Sequence, residues 1–290
     1  MSQKTKSIIL IVSFAVFFSV SYLVIIYAFG WQFDFKTFKW QETGGILVKT
    51  NTDAVRVFIN DELKGKTSFL SNTFIQKNLL PGQYALLFKK DKLPEISKNI
   101  KIKSGEAGQL IHLYLTDADE IAEFIANSEP KKENPDYFIN KKDGLLYRQS
   151  EDEKIEKISS ESVYIKDYRL KVLQKNIYLA SSDGDAPGVF LLEQGLWKQI
   201  HSLPANDLII SPDNKKLAII ESYEITVLWL KDENEAPYFE KDHKEIIKIG
   251  EKIKEALWFK TSWHLIYITE SGQTRFLEID PTGGRSDILI

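Results

Sequence analysis

Three patterns of apolar and polar positions follow one another along this chain. Residues 8–29 form an unbroken run of 22 residues without a charge. Residues 44–115 instead alternate apolar and polar side chains over short stretches separated by Asn, Asp, Gly and Pro, as strands with one buried face do. After a break at 116–135, strand-like stretches resume through residue 290. The pattern predicts a mainly β protein with one N-terminal transmembrane helix.

The apolar run predicts a membrane anchor. As a helix, 22 residues span roughly 33 Å, enough to cross the hydrocarbon core of a bilayer. Lys4 and Lys6 precede the run, so the positive-inside rule predicts a cytoplasmic N-terminus and an exported remainder. We expect residues 1–30 to form a cytoplasmic tail and a single-pass anchor in the cell membrane, with residues 8–29 in the lipid bilayer.

Two further expectations concern the end of this run. Tyr22, Tyr27 and Trp31 are expected near the outer interface, where amphipathic rings are favoured. A cleaved signal peptide is the alternative, because Ala28-Phe29-Gly30 loosely fits a cleavage site. The run is longer and bulkier than a signal-peptide core, which favours the anchor.

Residues 44–115 predict a compact antiparallel β-sandwich. Val55, Val57 and Ile59 alternate with residues of the opposite face, and Asn60-Asp61-Glu62 then forms a turn. The other predicted strands are Ile46–Val48, Tyr84–Phe88, 100–103 and 110–115.

The same residues resemble the PEGA domain of bacterial and archaeal surface proteins. The resemblance is carried by Gly45-Ile46-Leu47-Val48, by Asp53 to Asn60, by Gly65-Lys66-Thr67, by Leu80-Pro81-Gly82-Gln83-Tyr84 and by the closing 100–115 stretch. Ser68 replaces the expected Pro, and Lys92-Leu93-Pro94 replaces a Gly-Tyr bend. The resemblance implies a surface or spacer module without catalytic residues, in which Gly65, Pro81 and Gly82 are structural turn residues.

Residues 116–135 predict a short helix and a linker. Asp117 and its neighbours suit a helix N-terminus, and Ile121, Phe124 and Ile125 have helical spacing. The stretch 130–135 is polar and begins and ends with Pro, which is typical of a domain boundary.

Residues 136–290 predict a repeated unit of short strands. Ser211 to Ile220 followed by 224–230 matches Trp258 to Tyr267 followed by 273–279, and Leu217 aligns with Leu265 at a spacing of 48 residues. An earlier copy covers residues 176–180 and 188–192, and residues 137–149 resemble a diverged first copy. Periods of this length are typical of propeller-like arrays.

The run Ser211-Pro212-Asp213-Asn214-Lys215-Lys216-Leu217-Ala218 resembles the polar turn of TolB-like and WD40-type β-propellers. Pro212, Asp213 and Asn214 are therefore expected to be structural turn residues, and Asn214 replaces a Gly because Asn tolerates left-handed backbone. The length suits three or four blades. A minimal propeller, an open array, a fragment completed by a partner and a β-sandwich remain as alternatives.

Composition and motif content limit the kinds of reaction and binding site that this chain can have. The chain has 38 basic against 41 acidic residues, a formal charge of −3 and no cysteine. Disulfides, thiolate nucleophiles and Cys-ligated metals are excluded, and nucleic-acid binding is not expected. The sequence contains no Gly-x-Ser-x-Gly, Walker, GxGxxG or HExxH motif. We expect no catalytic residue, metal site or cofactor.

Weaker candidates each have a plain structural alternative. Trp197, Trp229, Trp258 and Trp263 could stack on sugars, but Trp is also an ordinary packing residue between strands. Ser182-Asp183-Gly184-Asp185 could hold calcium, but Asp-Gly is also a common hairpin turn. The four histidines are widely spaced and are expected to be ordinary strand or loop residues.

The leading hypothesis is an exported, non-enzymatic envelope protein that binds or scaffolds at the surface. Its expected partner is a cell-wall polymer or another envelope protein. The alternatives are an exported enzyme or sensor that holds a substrate on the propeller-like region, and an assembly factor whose incomplete propeller a partner completes.

Overall fold

The computed structural model describes residues 3–35, 37–128, 136–150, 152–163, 165, 167–173, 175–182 and 187–290. The fold is mainly β, with 48% strand and 13% helix. Contacts divide the chain into two units, residues 1–115 with 282–284 and residues 116–281 with 285–290. The predicted linker at 130–135 and most of the acidic turn at 182–185 lie outside the described residues.

The N-terminal element is one apolar helix, α1, Gln3–Ala28. Within it, residues Thr5–Ala28 have a mean hydropathy of 2.7, and none of that stretch is buried in the protein. The helix is thus long and apolar enough to span a membrane, as predicted. Its orientation stays a prediction.

A short hairpin that the sequence pattern did not predict follows the helix. Its strands are β1, Trp31–Asp34, and β2, Lys39–Glu42. They pair antiparallel, with Phe33 opposite Trp40.

Residues 44–113 form two sheets. The strands are β3 (Gly44–Thr50), β4 (Arg56–Ile59), β5 (Glu62–Lys66), β6 (Thr73–Leu79), β7 (Gly82–Lys89), β8 (Ile96–Ile102) and β9 (Ala107–Leu113). One sheet has the order β6-β3-β9, and the other has β5-β4-β7-β8. The predicted strands are present, but β6 was missed. The all-antiparallel expectation was wrong, because β3 and β9 pair in parallel.

The two sheets pack face to face through apolar side chains. Val57, Leu86 and Phe88 of the second sheet are fully or almost fully buried. Gly108 of β9 faces Ile100 of β8, and a Cβ at Gly108 would lie 2.5 Å from Ile100 Cδ1. Because real Cβ atoms do not approach this closely, a larger residue at this point would require the Ile100 side chain to move.

The predicted turns have recognisable local causes. Asn60 and Asp61 have φ angles of +49° and +66° and connect β4 to β5 as a two-residue hairpin. Pro81-Gly82 leads into β7, and the hydroxyl of Tyr84 donates a 2.7 Å hydrogen bond back to the Leu80 carbonyl. This bond gives a physical reason for Tyr at that position. Gly65, which the resemblance implied to be a turn residue, instead lies inside strand β5 and pairs with Val57.

The second unit starts with the predicted helix α2, Ala118–Asn127. The carboxylate of Asp117 accepts a 2.9 Å hydrogen bond from the Glu120 amide and so caps the first turn. Ile121 is buried, and the Phe124 ring packs against Phe259 at a centroid distance of 4.8 Å.

Four antiparallel sheets of consecutive strands follow. The first contains β10 (Tyr137–Ile139), β11 (Leu146–Gln149) and β12 (Ile155–Lys157). The second contains β13 (Tyr168–Leu173), β14 (Asn176–Ser181), β15 (Gly188–Glu193) and β16 (Leu196–His201). The third contains β17 (Asp207–Ile210), β18 (Lys216–Ile220), β19 (Glu224–Trp229) and β20 (Lys244–Lys248). The fourth contains β21 (Ile253–Trp258), β22 (His264–Thr269), β23 (Thr274–Glu278) and β24 (Asp287–Leu289).

Each sheet of the second unit shares an apolar core with the next. Leu146 and Leu179 lie in the core between the first and second sheets, and Tyr178 and Leu217 lie in the core between the second and third. The core between the third and fourth sheets is the largest and contains Trp229. Within the described residues, no sheet closes on itself.

The predicted 48-residue repeat is visible in the backbone. Leu217 and Leu265 both occupy the second position of the second strand of their sheets. Asn214 and Ser262, also 48 residues apart, both have left-handed backbone, with φ of +56° and +58°. The sequence comparison therefore identified true structural equivalents, including the left-handed Asn214.

Candidate functional site

Three of the four tryptophans considered as binding aromatics lie in the core. Trp229 is fully buried, and Trp258 and Trp263 are each 7% exposed. The indole nitrogen of Trp258 donates a 3.0 Å hydrogen bond to the Ile209 carbonyl, which links the fourth sheet to the third. Trp197 is half-buried and packs against the core between the first two sheets. Their surroundings correspond to the packing alternative rather than to a surface for sugars.

The turn that contains Pro212, Asp213 and Asn214 is held by its own side chains. The carboxylate of Asp213 accepts hydrogen bonds from the Ser211 hydroxyl at 2.5 Å and from the Lys215 amide at 3.0 Å. The backbone amide of Asp213 donates to the Ser262 hydroxyl at 3.0 Å, across to the fourth sheet. The turn therefore joins two strands and two sheets at once.

A buried ammonium lies directly behind this turn. Lys216 is fully buried, and its Nζ is 3.0 Å from Asp213 Oδ2 and 3.3 Å from Glu233 Oε2. It also lies 4.4 Å from the centroid of the Trp263 ring. Glu233 is paired a second time, with Lys215 at 2.8 Å.

These contacts lower the pKa of both carboxyl groups. Burial alone raises the pKa of Asp213, but the bonds from Ser211 and Lys215 and the charge of Lys216 outweigh it. Burial likewise raises the pKa of Glu233, and the two lysines outweigh it. Every charge in this cluster is satisfied inside the protein, so the cluster is structural.

A cavity of about 470 Å³ lies between the second and third sheets and is the strongest candidate for a binding site. Its residues come from β14, β15, β16, β19 and β20 and the loop before β20, so no local motif marks it. The apolar lining residues include Leu191 and Leu228. The charged lining residues are Lys198, Lys241, Lys244, Glu193 and Asp242.

The charge of this lining differs in sign from the charge of the whole chain. Three lysines face two carboxylates in the cavity, whereas the chain as a whole carries −3. Lys198 lies 3.8 Å from Glu193, and Lys244 donates a 2.5 Å hydrogen bond to the Ile200 carbonyl. Burial raises the pKa of Tyr178, so its hydroxyl is a neutral hydrogen-bonding group in this lining.

An acidic pair and a histidine meet beyond Ile200. His201 ends β16, and its Nε2 lies 3.0 Å from Oε1 of Glu221, both side chains being less than a tenth exposed. Among the described residues this nitrogen makes no hydrogen bond of good geometry. Thr226 donates a 3.1 Å hydrogen bond to the same oxygen of Glu221.

Both groups favour their neutral forms. Burial, together with a hydrogen bond to and charge repulsion from the neighbouring carboxyl of Glu224, raises the pKa of Glu221 to about 7. Burial lowers the pKa of His201, and the charge of Lys244 lowers it as well. The cluster is therefore a protonation-sensitive contact between the second and third sheets, screened from solvent.

Histidines and acidic groups do not converge into a metal centre in the described part of the chain. His243 stacks on Phe239 and bonds to Glu245 at 2.9 Å, and His264 stacks on Phe276. Both occupy ordinary packing positions.

No family model matches this chain, and no curated protein matches it.

Proposed function

We propose that this chain is a single-pass membrane protein of the cell envelope whose two β-rich units lie outside the cytoplasm and bind or scaffold without catalysis. The apolar helix α1 supports the anchor, and Lys4 and Lys6 before it favour a cytoplasmic N-terminus. On this proposal the first unit is a PEGA-like spacer, and the second is a propeller-like binding domain.

Strand order supports a propeller-like second unit. Each of the last three sheets is a meander of four consecutive strands, and its first strand neighbours the first strand of the next sheet, β13 beside β17 and β17 beside β21. Blades of a propeller are arranged in this way around an axis.

The cationic cavity between the second and third sheets is the observation that carries the binding proposal. A lining that combines apolar side chains with three lysines suits a ligand with an anionic group on a partly apolar body. Envelope polymers that carry phosphate or carboxylate groups on a sugar or polyol backbone have this chemistry. We propose such a polymer as the ligand.

The test is co-sedimentation of the full chain, in detergent micelles, with isolated cell-wall material. The double variant Lys198→Glu and Lys244→Glu reverses two cavity charges, and we expect it to weaken binding about tenfold or more. The wild type should also bind less as NaCl rises from about 0.05 to about 0.5 M, because salt screens the attraction.

The matched control is the double variant Lys154→Glu and Lys254→Glu, since both lysines are exposed and lie outside the cavity. It makes the same change of net charge and should bind like the wild type. Equal binding by all three proteins would show that the cavity is not the binding site. A wild-type protein that stays in the supernatant would overturn the proposal that the chain binds the cell wall. Thermal unfolding of each variant checks that it is folded.

A catalytic role is the second candidate, because His201, Glu221 and Glu224 bring proton donors and acceptors together. The His201 and Glu221 side chains are only 9% and 7% exposed, however, which leaves a substrate little access to them. Binding is therefore the better supported function.

A further inference from the structure

The hairpin β1–β2 has two chemically different faces. In its register Phe33 lies opposite Trp40, and Trp31 lies on the same face two residues earlier. The other face carries Gln32, Asp34, Lys39 and Gln41. The hairpin is therefore amphipathic, with a face that is aromatic except for Glu42 at its base.

The aromatic face is largely uncovered within the protein. Trp31 and Trp40 are 41% and 43% exposed, and Phe35 and Phe38 in the connecting turn are 78% and 76% exposed. The Phe33 ring contacts the rings of Phe35, Phe38 and Trp40 at centroid distances of 5.2–6.2 Å. A two-stranded hairpin is marginally stable in water by itself. An exposed aromatic cluster of this kind therefore indicates that the hairpin packs against another apolar surface.

The polar face is satisfied by its own members. The Asp34 carboxylate accepts hydrogen bonds from the Thr37 hydroxyl at 2.7 Å and from the Gln41 amide at 3.1 Å. The Gln41 amide also lies 3.0 Å from the Thr37 hydroxyl oxygen. These bonds stabilise the hairpin on its polar side, and the aromatic rings lie on the opposite side.

The hairpin is tied to the end of the apolar helix. Only Phe29 and Gly30 separate α1 from β1, and the Gly30 carbonyl accepts hydrogen bonds from the Thr43 amide at 2.7 Å and the Thr43 hydroxyl at 2.6 Å. Both ends of the hairpin are thus fixed at the helix terminus. A cavity of about 430 Å³ there is lined entirely by apolar and aromatic residues, Tyr22, Ile26, Phe29, Trp31 and Trp40.

We propose that the aromatic face of the β1–β2 hairpin lies in the interface of the bilayer that α1 crosses, as a second membrane contact at the boundary between headgroups and acyl chains. Trp favours this boundary because its ring is apolar and its N–H can remain hydrated. Lipid is the occupant because the hairpin continues the membrane helix and is held at its end. The inference uses the proposed anchor but does not depend on the ligand of the cavity.

The absence of cysteine from the chain permits a single fluorescent probe in the full-length protein. The variant Phe38→Cys is labelled with the environment-sensitive dye NBD and reconstituted into vesicles of phosphatidylcholine and phosphatidylglycerol. We expect lipids with a shallow spin label to quench the probe more than lipids with a deep one. Aqueous iodide should quench it about threefold less than a probe in water.

Tyr238→Cys is the matched control, because Tyr238 is also an exposed aromatic, at 69%, in a loop of the second unit. Its probe should be quenched by iodide and not by lipid. Phe35→Cys repeats the measurement from the other side of the turn if the first variant folds poorly.

Two results would overturn the proposal. Equal iodide quenching at positions 38 and 238 would show that the hairpin is exposed to aqueous solvent. Protection from iodide without quenching by lipid labels would show that protein, either a second copy or a partner, covers the rings. Flotation of the vesicles separates these outcomes from a failed anchor, since protein that does not float never entered the bilayer.

Discussion

The β-sandwich of the first unit and the four sheets of the second bury different kinds of side chain. Among the described residues of the sandwich, Lys98 is the one buried charged group, and the rest of its interior is apolar or hydroxyl-bearing. The second unit buries more charge, at Lys216, Glu221, Glu233, Glu278 and Asp280.

The difference follows from what each architecture must specify. In the sandwich, strict alternation on β4 and β7 is enough to turn one face of each strand inward. Repeated sheets have similar apolar faces, so several pairings would bury similar area. We expect polar contacts that fit one arrangement, such as the 3.0 Å bond from the Asp213 amide to Ser262, to distinguish the correct neighbour.

The largest expected effect comes from removing the buried ammonium. Lys216→Met keeps the length of the side chain but leaves Asp213 without its cationic partner, and we expect a loss of about 4 kcal/mol in the free energy of unfolding. Urea unfolding followed by tryptophan fluorescence measures it, because four of the six tryptophans lie in the second unit.

Lys215→Met is the control for this prediction. Lys215 also pairs with Glu233, but its side chain is 34% exposed, so solvent screens the pair and its loss should cost about 1 kcal/mol or less. If both variants lose the same stability, the buried cluster does not stabilise the turn more than an exposed ion pair does. The proposed role of buried charge in the second unit would then be wrong.

An apolar truncation tests the sandwich. Leu86 is 2% exposed, whereas its neighbour Leu87 points to the other face and is half-buried. Leu86→Ala should destabilise the first unit by about 3 kcal/mol, and Leu87→Ala by about 1 kcal/mol or less. Hydrogen exchange of β7 and β8 in the full chain measures both. Similar losses would contradict the burial pattern.

The smallest effect depends on pH. Because burial holds the pKa of Glu221 at about 7, above its usual 4.5, the folded state retains a proton that the unfolded state releases. Its contribution to stability is therefore complete below about pH 4.5 and is lost as the pH rises to about 7. Glu221→Gln should match the wild type near pH 4.5 and be more stable by on the order of 2 kcal/mol above pH 7.

Thermal unfolding across this pH range measures the difference between the two proteins. His201 also contributes to the pH dependence, because its lowered pKa stabilises the folded state as the pH rises. This contribution is present in both proteins, so subtracting one stability profile from the other leaves the contribution of Glu221. Glu255→Gln, at an exposed position, is the control and should differ from the wild type equally at all pH values. A Glu221→Gln difference that is independent of pH would contradict the raised pKa of Glu221.

Local patterns predicted most elements because each depends on nearby residues. A window of ten residues is enough to recognise the alternation of Val55, Val57 and Ile59 and the turn at Asn60-Asp61. Strand β6 was missed because its residues alternate poorly, with Ile75 exposed at 59%. The β1–β2 hairpin was missed because its aromatic residues continue the apolar character of the anchor.

The candidate site was not predictable in this way. The cavity is assembled from five strands and a loop, and Lys198 and Lys244 are separated by 46 positions in the sequence. Nor does the sequence mark Glu221, whose neighbours Ser222 and Tyr223 suggest only a turn. Its perturbed pKa arises from burial and from Glu224, which are properties of the folded chain.

The sequence by itself determined the apolar helix, the period-two strands, the turn residues and the 48-residue repeat, because these depend on the order of side chains over a few positions. Only the tertiary structure decided which tryptophans are buried, that β3 and β9 run parallel, and which lysines line a common cavity. Those features depend on which distant strands come together, and packing of whole sheets, rather than local propensity, makes that choice.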